Sequence, residues 1–174
     1  LSNNKKLIAL PNSFGNLINL KELNLSLNSN LEELPSTFCG LIHLKKLKLS
    51  STKISVFPES FEKLVNLQTL SLFETKFREL PEWISNFSRL QTLDLFGTDI
   101  AAIPQSIGRL RFLENLDLSN TLLLSSLPNS ILDLPRNCEI NLQNSGLSET
   151  VLQRLEEVRD AEEVFGPRFN FSMR

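Results

Sequence analysis

Along residues 1–147, leucine recurs in the order L-x-x-L-x-L, followed by a polar residue, a spaced apolar residue and a Leu-Pro type corner. The leucine pairs are Leu23/Leu25, Leu47/Leu49, Leu70/Leu72, Leu93/Leu95, Leu116/Leu118 and Ile140/Leu142, with Leu1 as the remnant of an earlier pair. Leucine alternating with a polar residue has the period of a strand, so each pair turns to one face and its neighbours to the other. Prolines 58, 81 and 104 follow one another at a constant step of 23 residues. A fixed period of this length predicts a solenoid, in which the short strands stack into a parallel sheet over buried leucines.

Three residues or so past each pair stands Asn4, Asn28, Thr52, Thr75, Thr98, Thr121 or Ser145. The chain turns inward there, and side chains that can both donate and accept predict a buried ladder serving the backbone of neighbouring copies. Leu7, Leu31, Ile54, Phe77, Ile100 and Leu124 come next, then the corners at Pro11, Pro35, Pro58, Pro81, Pro104 and Pro128. The first, second and sixth copies hold one extra residue before the proline, which a loop absorbs at small cost. Apolar residues three and six positions past each proline predict a helical turn or two on the convex side, opened by a proline whose missing N–H has no helical partner to lose.

After Pro135 the pattern ends in one more strand, Ile140 and Leu142, with no Leu-Pro corner behind it. Ser148 is placed to cap a helix whose Val151, Leu152, Leu155 and Val158 form an apolar stripe. A solenoid needs such a terminal cover over its last core layer. Residues 166–173 alternate apolar and polar, and predict a strand or an extended arm. The expected division is residues 1–147 for the repeats, the first truncated and the last atypical, and 148–174 for a capping helix and tail.

The chain has 174 residues, 18 Lys plus Arg, 20 Asp plus Glu and one His. Near-balanced charge argues against general nucleic-acid binding, and no apolar run approaches the roughly 18 residues of a membrane span. No signal peptide is visible, and an opening in mid-strand without Met leads us to expect a piece of a longer protein. Cys39 and Cys138 occupy unrelated repeat positions, which speaks against a disulfide framework and for a reducing compartment. His43 has no Cys or carboxylate at ligand spacing and is expected on an outer turn. No phosphate loop or nucleophile triad appears, so neither a cofactor nor catalysis is expected of these residues.

What varies between copies is the outward face of each strand. The column after the second leucine reads Ser26, Ser50, Phe73, Phe96, Ser119 and Gln143. Phe73 and Phe96 should lie about 5 Å apart on neighbouring strands, and burial of each by a partner is worth about 1.5–3 kcal/mol. Cover by the C-terminal segment or by chain outside this sequence is the competing reading. The column between the leucines reads Asn24, Lys48, Ser71, Asp94, Asp117 and Asn141, which sets two like charges side by side. With Lys45, Lys46 and Lys48 before the aromatics and Glu74 next to Phe73, the face runs from basic to aromatic to acidic. That gradient would orient a protein partner, or is a solvated face with incidental charges. Trp83 is expected as a partly exposed convex residue. Asn24, Asn86 and Asn170 each open an Asn-x-Ser pattern, but Asn24 lies within a predicted strand and such short patterns recur by chance.

These repeats resemble the leucine-rich repeat family over residues 1–147, which implies a curved parallel sheet on the concave face and short helices or turns on the convex one. Turns such as Pro11-Asn12-Ser13-Phe14-Gly15 look like those of intracellular plant and bacterial members; the Gly before an Ile-Pro corner common in plant extracellular receptors is missing. The stretch Leu134 to Leu155 and the following G-P-R-F-N-F-S-M resemble the end of the repeat domain in type III secreted bacterial effectors, several of which carry a ubiquitin-ligase domain downstream. The resemblance implies delivery into a host cell, to its cytoplasm or nucleus, and a host protein as partner. It also implies a possible link to the ubiquitin pathway through a domain outside this sequence. The C-x-D nucleophile motif of those ligases is absent: Cys138 precedes Glu139-Ile140 and Cys39 precedes Gly40-Leu41. The rival expectation is the repeat domain of an intracellular plant immune receptor or scaffold, in plant cytoplasm.

Overall fold

Each leucine pair begins in a strand of three residues: β1 Glu22–Asn24, β2 Lys46–Lys48, β3 Thr69–Ser71, β4 Thr92–Asp94, β5 Asn115–Asp117 and β6 Glu139–Asn141. A seventh, β7 Arg168–Asn170, follows α1 (Glu149–Asp160). In this computed structural model, which describes residues 1–160 and 166–172, all seven strands form one parallel sheet in chain order. The register sets Leu23, Leu47, Leu70, Leu93, Leu116, Ile140 and Phe169 in one buried row. Strand residues on either side of that row face outward, as a period of two requires.

The strands are short because the backbone reverses just past the second leucine. Asn3, Leu27, Ser51, Glu74, Gly97, Asn120 and Asn144, one per repeat, all have φ between 53° and 63°. The next residue goes inside. Asn28, Thr52, Thr75, Thr98, Thr121 and Ser145 are buried, while Asn4 is exposed. The ladder differs from expectation in its partners. Each threonine hydroxyl donates to a carbonyl of its own repeat, from Thr52 to Leu49 at 2.7 Å and from Thr98 to Leu95 at 2.8 Å. The short threonine side chain reaches back over its own turn and no further. Asn28, one bond longer, does both: its Nδ2 donates to Leu25 and Leu1, and its Oδ1 accepts from the Asn4 N–H.

On the convex side the apolar positions form single 3-10 turns, Asn12–Asn16, Ser36–Gly40, Phe61–Lys63, Glu82–Asn86, Gln105–Arg109 and Asn129–Asp133. Proline stands just outside the turn in extended conformation (φ −69° at Pro11), and its carbonyl accepts the first bond, from Phe14 at 2.9 Å. Inside these turns Phe14, Phe38 and Phe61 stack at 6.5 and 6.0 Å between centroids, continued by Ile84, Ile107 and Ile131.

At the far end, the Val151 N–H reaches the Ser148 hydroxyl at 3.4 Å, and Leu152 and Leu155 are buried in the common core. The helix takes the place in its repeat that a 3-10 turn takes in the others. β7 then pairs with β6, so the tail is a strand at 168–170 rather than a free arm, and a strand rather than the helix ends the sheet. Met173 lies outside the described residues. Among the described residues no helix is long and apolar enough to cross a membrane.

Candidate protein-binding surface

Phe73 and Phe96 follow β3 and β4 on the outward side of the sheet. Their rings lie 4.6 Å apart and 9° from parallel. Each covers a face of the other, so both are half-buried rather than fully wet. The pair is a preformed apolar ledge in a row otherwise filled by Ser26, Ser50, Ser119 and Gln143.

Asp94 and Asp117 are adjacent in register, as expected. Their repulsion is offset by neutral donors. Asp94 accepts from the Ser71 hydroxyl at 2.7 Å and the Phe96 N–H at 3.2 Å. Asp117 accepts from the Ser119 N–H at 2.9 Å and hydroxyl at 2.5 Å, with Asn141 Nδ2 at 3.5 Å. Asn24 and Asn141 accept the N–H two residues on in the same way. The column therefore carries Asn or Asp for a structural reason: a short side-chain acceptor closes the strand end. What remains is charge, because neither aspartate forms an ion pair among the described residues.

The basic end is smaller than the sequence suggested. Lys46 faces Glu22 across the β1–β2 register at 2.8 Å, with side chains 50% and 64% exposed. The hydrogen bond and charge of Lys46 hold the Glu22 carboxyl below the usual carboxylate range. Lys48 stays exposed and makes no ion pair among the described residues. Glu74 lies off the strand, in the left-handed turn, where its carboxylate accepts from the Ser51 hydroxyl at 3.2 Å. The structure thus groups Phe73, Phe96, Asp94 and Asp117, places Glu74 on their border, and leaves Lys46 and Lys48 to one side.

Toward β7 the face deepens into an open pocket of about 410 Å³ lined by Asn115, Asp117, Glu139, Asn141, Arg168 and Asn170. Arg168 and Asn170 join because β7 extends the sheet. His43 is exposed. Among the described residues no group of three or more His, Cys, Asp or Glu could hold a metal ion. Cys138 is fully buried, and burial, then the charge of Glu139, pushes its thiol up to about 12, so it stays protonated.

Trp83 departs from expectation. It is half-buried and packs edge-on against Phe57 at 5.2 Å and Phe87 at 5.7 Å. A signal existed: the equivalent residues in the other copies are Ser13, Thr37, Ser60, Ser106 and Ser130.

The Leucine Rich Repeat family model matches residues 19–41 and 43–64. No curated protein matches the chain by sequence. Among solved structures, the leucine-rich repeat domain of the type III effector XCV3220 (XopL) is 30% identical, with 78% of this chain and 57% of that one covered and a TM-score of 0.63. The Arabidopsis receptor kinase HAESA, solved with the peptide hormone IDA and the co-receptor SERK1, is 27% identical over 80% of this chain and 24% of that one, at a TM-score of 0.64. The Leptospira interrogans protein LIC12759 shares the fold, with 23% identity, 87% and 50% coverage and a TM-score of 0.66. The chain spans between 24% and 57% of the length of these three. By its repeats, its sheet and its structural neighbours, this chain is a leucine-rich repeat solenoid, a fold that binds proteins.

Proposed function

We propose that the chain is the recognition domain of a larger bacterial effector and holds a host protein on its concave face, as the substrate-selecting or regulatory module of a protein such as a ubiquitin ligase. The observation that carries the site is the stacked Phe73–Phe96 pair, which breaks a row of small polar residues next to two carboxylates without cationic partners. A partner that covers the ring edges gains apolar burial, and Asp94 and Asp117 favour basic groups beside its apolar contact. The likeness to the XopL repeat domain supports the effector reading.

The test is Phe73→Ala with Phe96→Ala, assayed against the protein that the intact chain retains from host lysate. The expected result is a loss of roughly tenfold to a hundredfold in affinity with the cooperative unfolding transition preserved. Unchanged affinity refutes the placement. The likeness to HAESA favours a second reading, a receptor's recognition domain. A nucleotide-binding loop in the neighbouring chain of the parent protein would select the intracellular plant receptor, and a type III secretion segment the effector.

A further inference from the structure

The wall that leads from the sheet to the convex turns is stitched between repeats by backbone bonds. Lys53 donates to Leu31 at 2.9 Å, Ala101 to Arg78 at 3.1 Å and Ser125 to Ala101 at 3.3 Å. The equivalent stitch between Ser55 and Arg78 is not made. Among the described residues, the Ser55 carbonyl and the Arg78 N–H have no protein partner.

Three oversized residues meet at this break. Phe57 stands where other copies have Leu10, Leu34, Leu80, Ile103 or Leu127; Phe77 stands in a column of Leu and Ile; Trp83 replaces Ser or Thr. The Phe57 ring lies 4.5 Å from that of Phe77 and 5.2 Å from that of Trp83. Such overpacking is relieved by moving backbone apart. The neighbouring turn records the shift: Ser60 adopts φ 63°, and its 3-10 turn shrinks to Phe61–Lys63. What opens is a slot of about 210 Å³ lined by Val56, Phe57, Phe77, Pro81 and Trp83, with Glu79 at its edge. Val56 is 69% exposed. The slot shares Ser55, Val56 and Glu79 with a shallower groove that also touches Lys76, Arg78 and Asp99.

The dimensions and chemistry select the occupant. The slot is smaller than the roughly 300–1,000 Å³ of small-molecule sites, so it suits one side chain. Its walls are apolar. Around it the charges balance, with Lys76 paired to Asp99 at 3.5 Å and Arg78 set next to Glu79, so a neutral side chain fits and a charged one gains nothing. A free carbonyl and a free N–H match the alternating groups of an extended backbone. We propose that this slot receives an extended segment of a protein partner, which inserts one leucine-sized apolar side chain and pairs its backbone with Ser55 and Arg78. This second site lies off the concave face and does not depend on Phe73 and Phe96.

Trp83 is the single tryptophan of the chain, so its fluorescence reports occupancy directly. The probes are acetylated, amidated pentapeptides of sequence Thr-Thr-Leu-Thr-Thr, with central Ala and central Lys as comparisons. The leucine peptide should change Trp83 emission saturably at millimolar concentration, with the other two roughly tenfold to a hundredfold weaker. Val56→Asp and Val56→Lys, at an exposed rim position that leaves folding intact, should abolish the response, and Phe96→Ala should leave it unchanged. No saturable change with the leucine peptide, an equal response to the alanine peptide, or a response that survives both Val56 substitutions overturns the proposal.

Discussion

Thr75→Val and Thr121→Val remove the same hydroxyl from the same column, yet their costs should differ. Both residues are fully buried, and both hydroxyls donate at 2.5 Å, to the Leu72 and Leu118 carbonyls respectively. Valine keeps the shape of the side chain, so the transfer term is common to both. The carbonyls are not alike. Leu72 also accepts the Thr75 N–H at 3.0 Å and keeps that bond after substitution. Among the described residues Leu118 has no second donor, so Thr121→Val leaves a buried carbonyl unpaired. The first change therefore costs about 0.5–1.5 kcal/mol, the net worth of one hydrogen bond, and the second about 1–3 kcal/mol. Thr98 belongs with Thr75, since Leu95 accepts its N–H at 3.2 Å, and Thr52 belongs with Thr121. Urea denaturation followed by far-ultraviolet circular dichroism would measure all four. Equal losses, or a larger loss at Thr75 and Thr98, would refute the reasoning.

Gly108→Ala sets a Cβ 2.4 Å from the Ser130 carbonyl oxygen and forces two convex turns apart, a loss of about 1–3 kcal/mol in the same denaturation assay. A double-mutant cycle of Phe73→Ala and Phe96→Ala in thermal unfolding should give a coupling of about 0.5–1.5 kcal/mol for the stacked rings. Native protein should take up one equivalent of alkylating agent, at half-exposed Cys39, with Cys138 labelled only after unfolding. Because the folded Cys138 thiol is raised to about 12, its contribution to stability is full below the ordinary thiol range and is lost as pH climbs toward that value; Cys138→Ala should flatten the alkaline limb of a stability profile. Glu82 has the opposite sign: the Ser106 hydroxyl and N–H hold its carboxyl low, so its contribution is present above the usual carboxylate range and fades in acid, and Glu82→Gln should flatten the acid limb.

The scaffold was legible because its physics is local and repeated. A leucine at every second strand position, an inward polar residue and a proline corner each state one requirement, and six copies state it in register. Legibility failed where a contact needed a direction or a distance. Nothing in the column of threonines distinguishes a bond to the next repeat from one to the same turn; side-chain reach decides, and only Asn28 spans the gap. The basic patch shrank because Lys46 answers Glu22, a pairing visible only when strand registers are laid side by side. The tail strand was half visible, since its alternation fitted a strand or an arm until β6 supplied a partner.

Departures from the repeat proved more informative than the repeat itself, and they divide by what the fold does with them. Asp94 and Asp117 depart in charge only, and the backbone uses them as it uses Asn24 and Asn141, leaving an unspent negative charge on the face. Phe73 and Phe96 depart in size on the open side of the sheet, where the scaffold yields nothing and the two rings stack on each other. Phe57, Phe77 and Trp83 depart in size on the closed side, where volume has to come from somewhere, and the wall between two repeats opens. A bulky residue in a solenoid column therefore means different things on different faces: a ledge where water was, or a slot where a hydrogen bond was. Substituting Trp83→Ser, the residue of its own column, separates the two. It should restore the Arg78-to-Ser55 stitch, seen as slowed amide exchange at Arg78, and leave the Phe73–Phe96 stack untouched; exchange at Arg78 as fast as before would show that the gap has another cause.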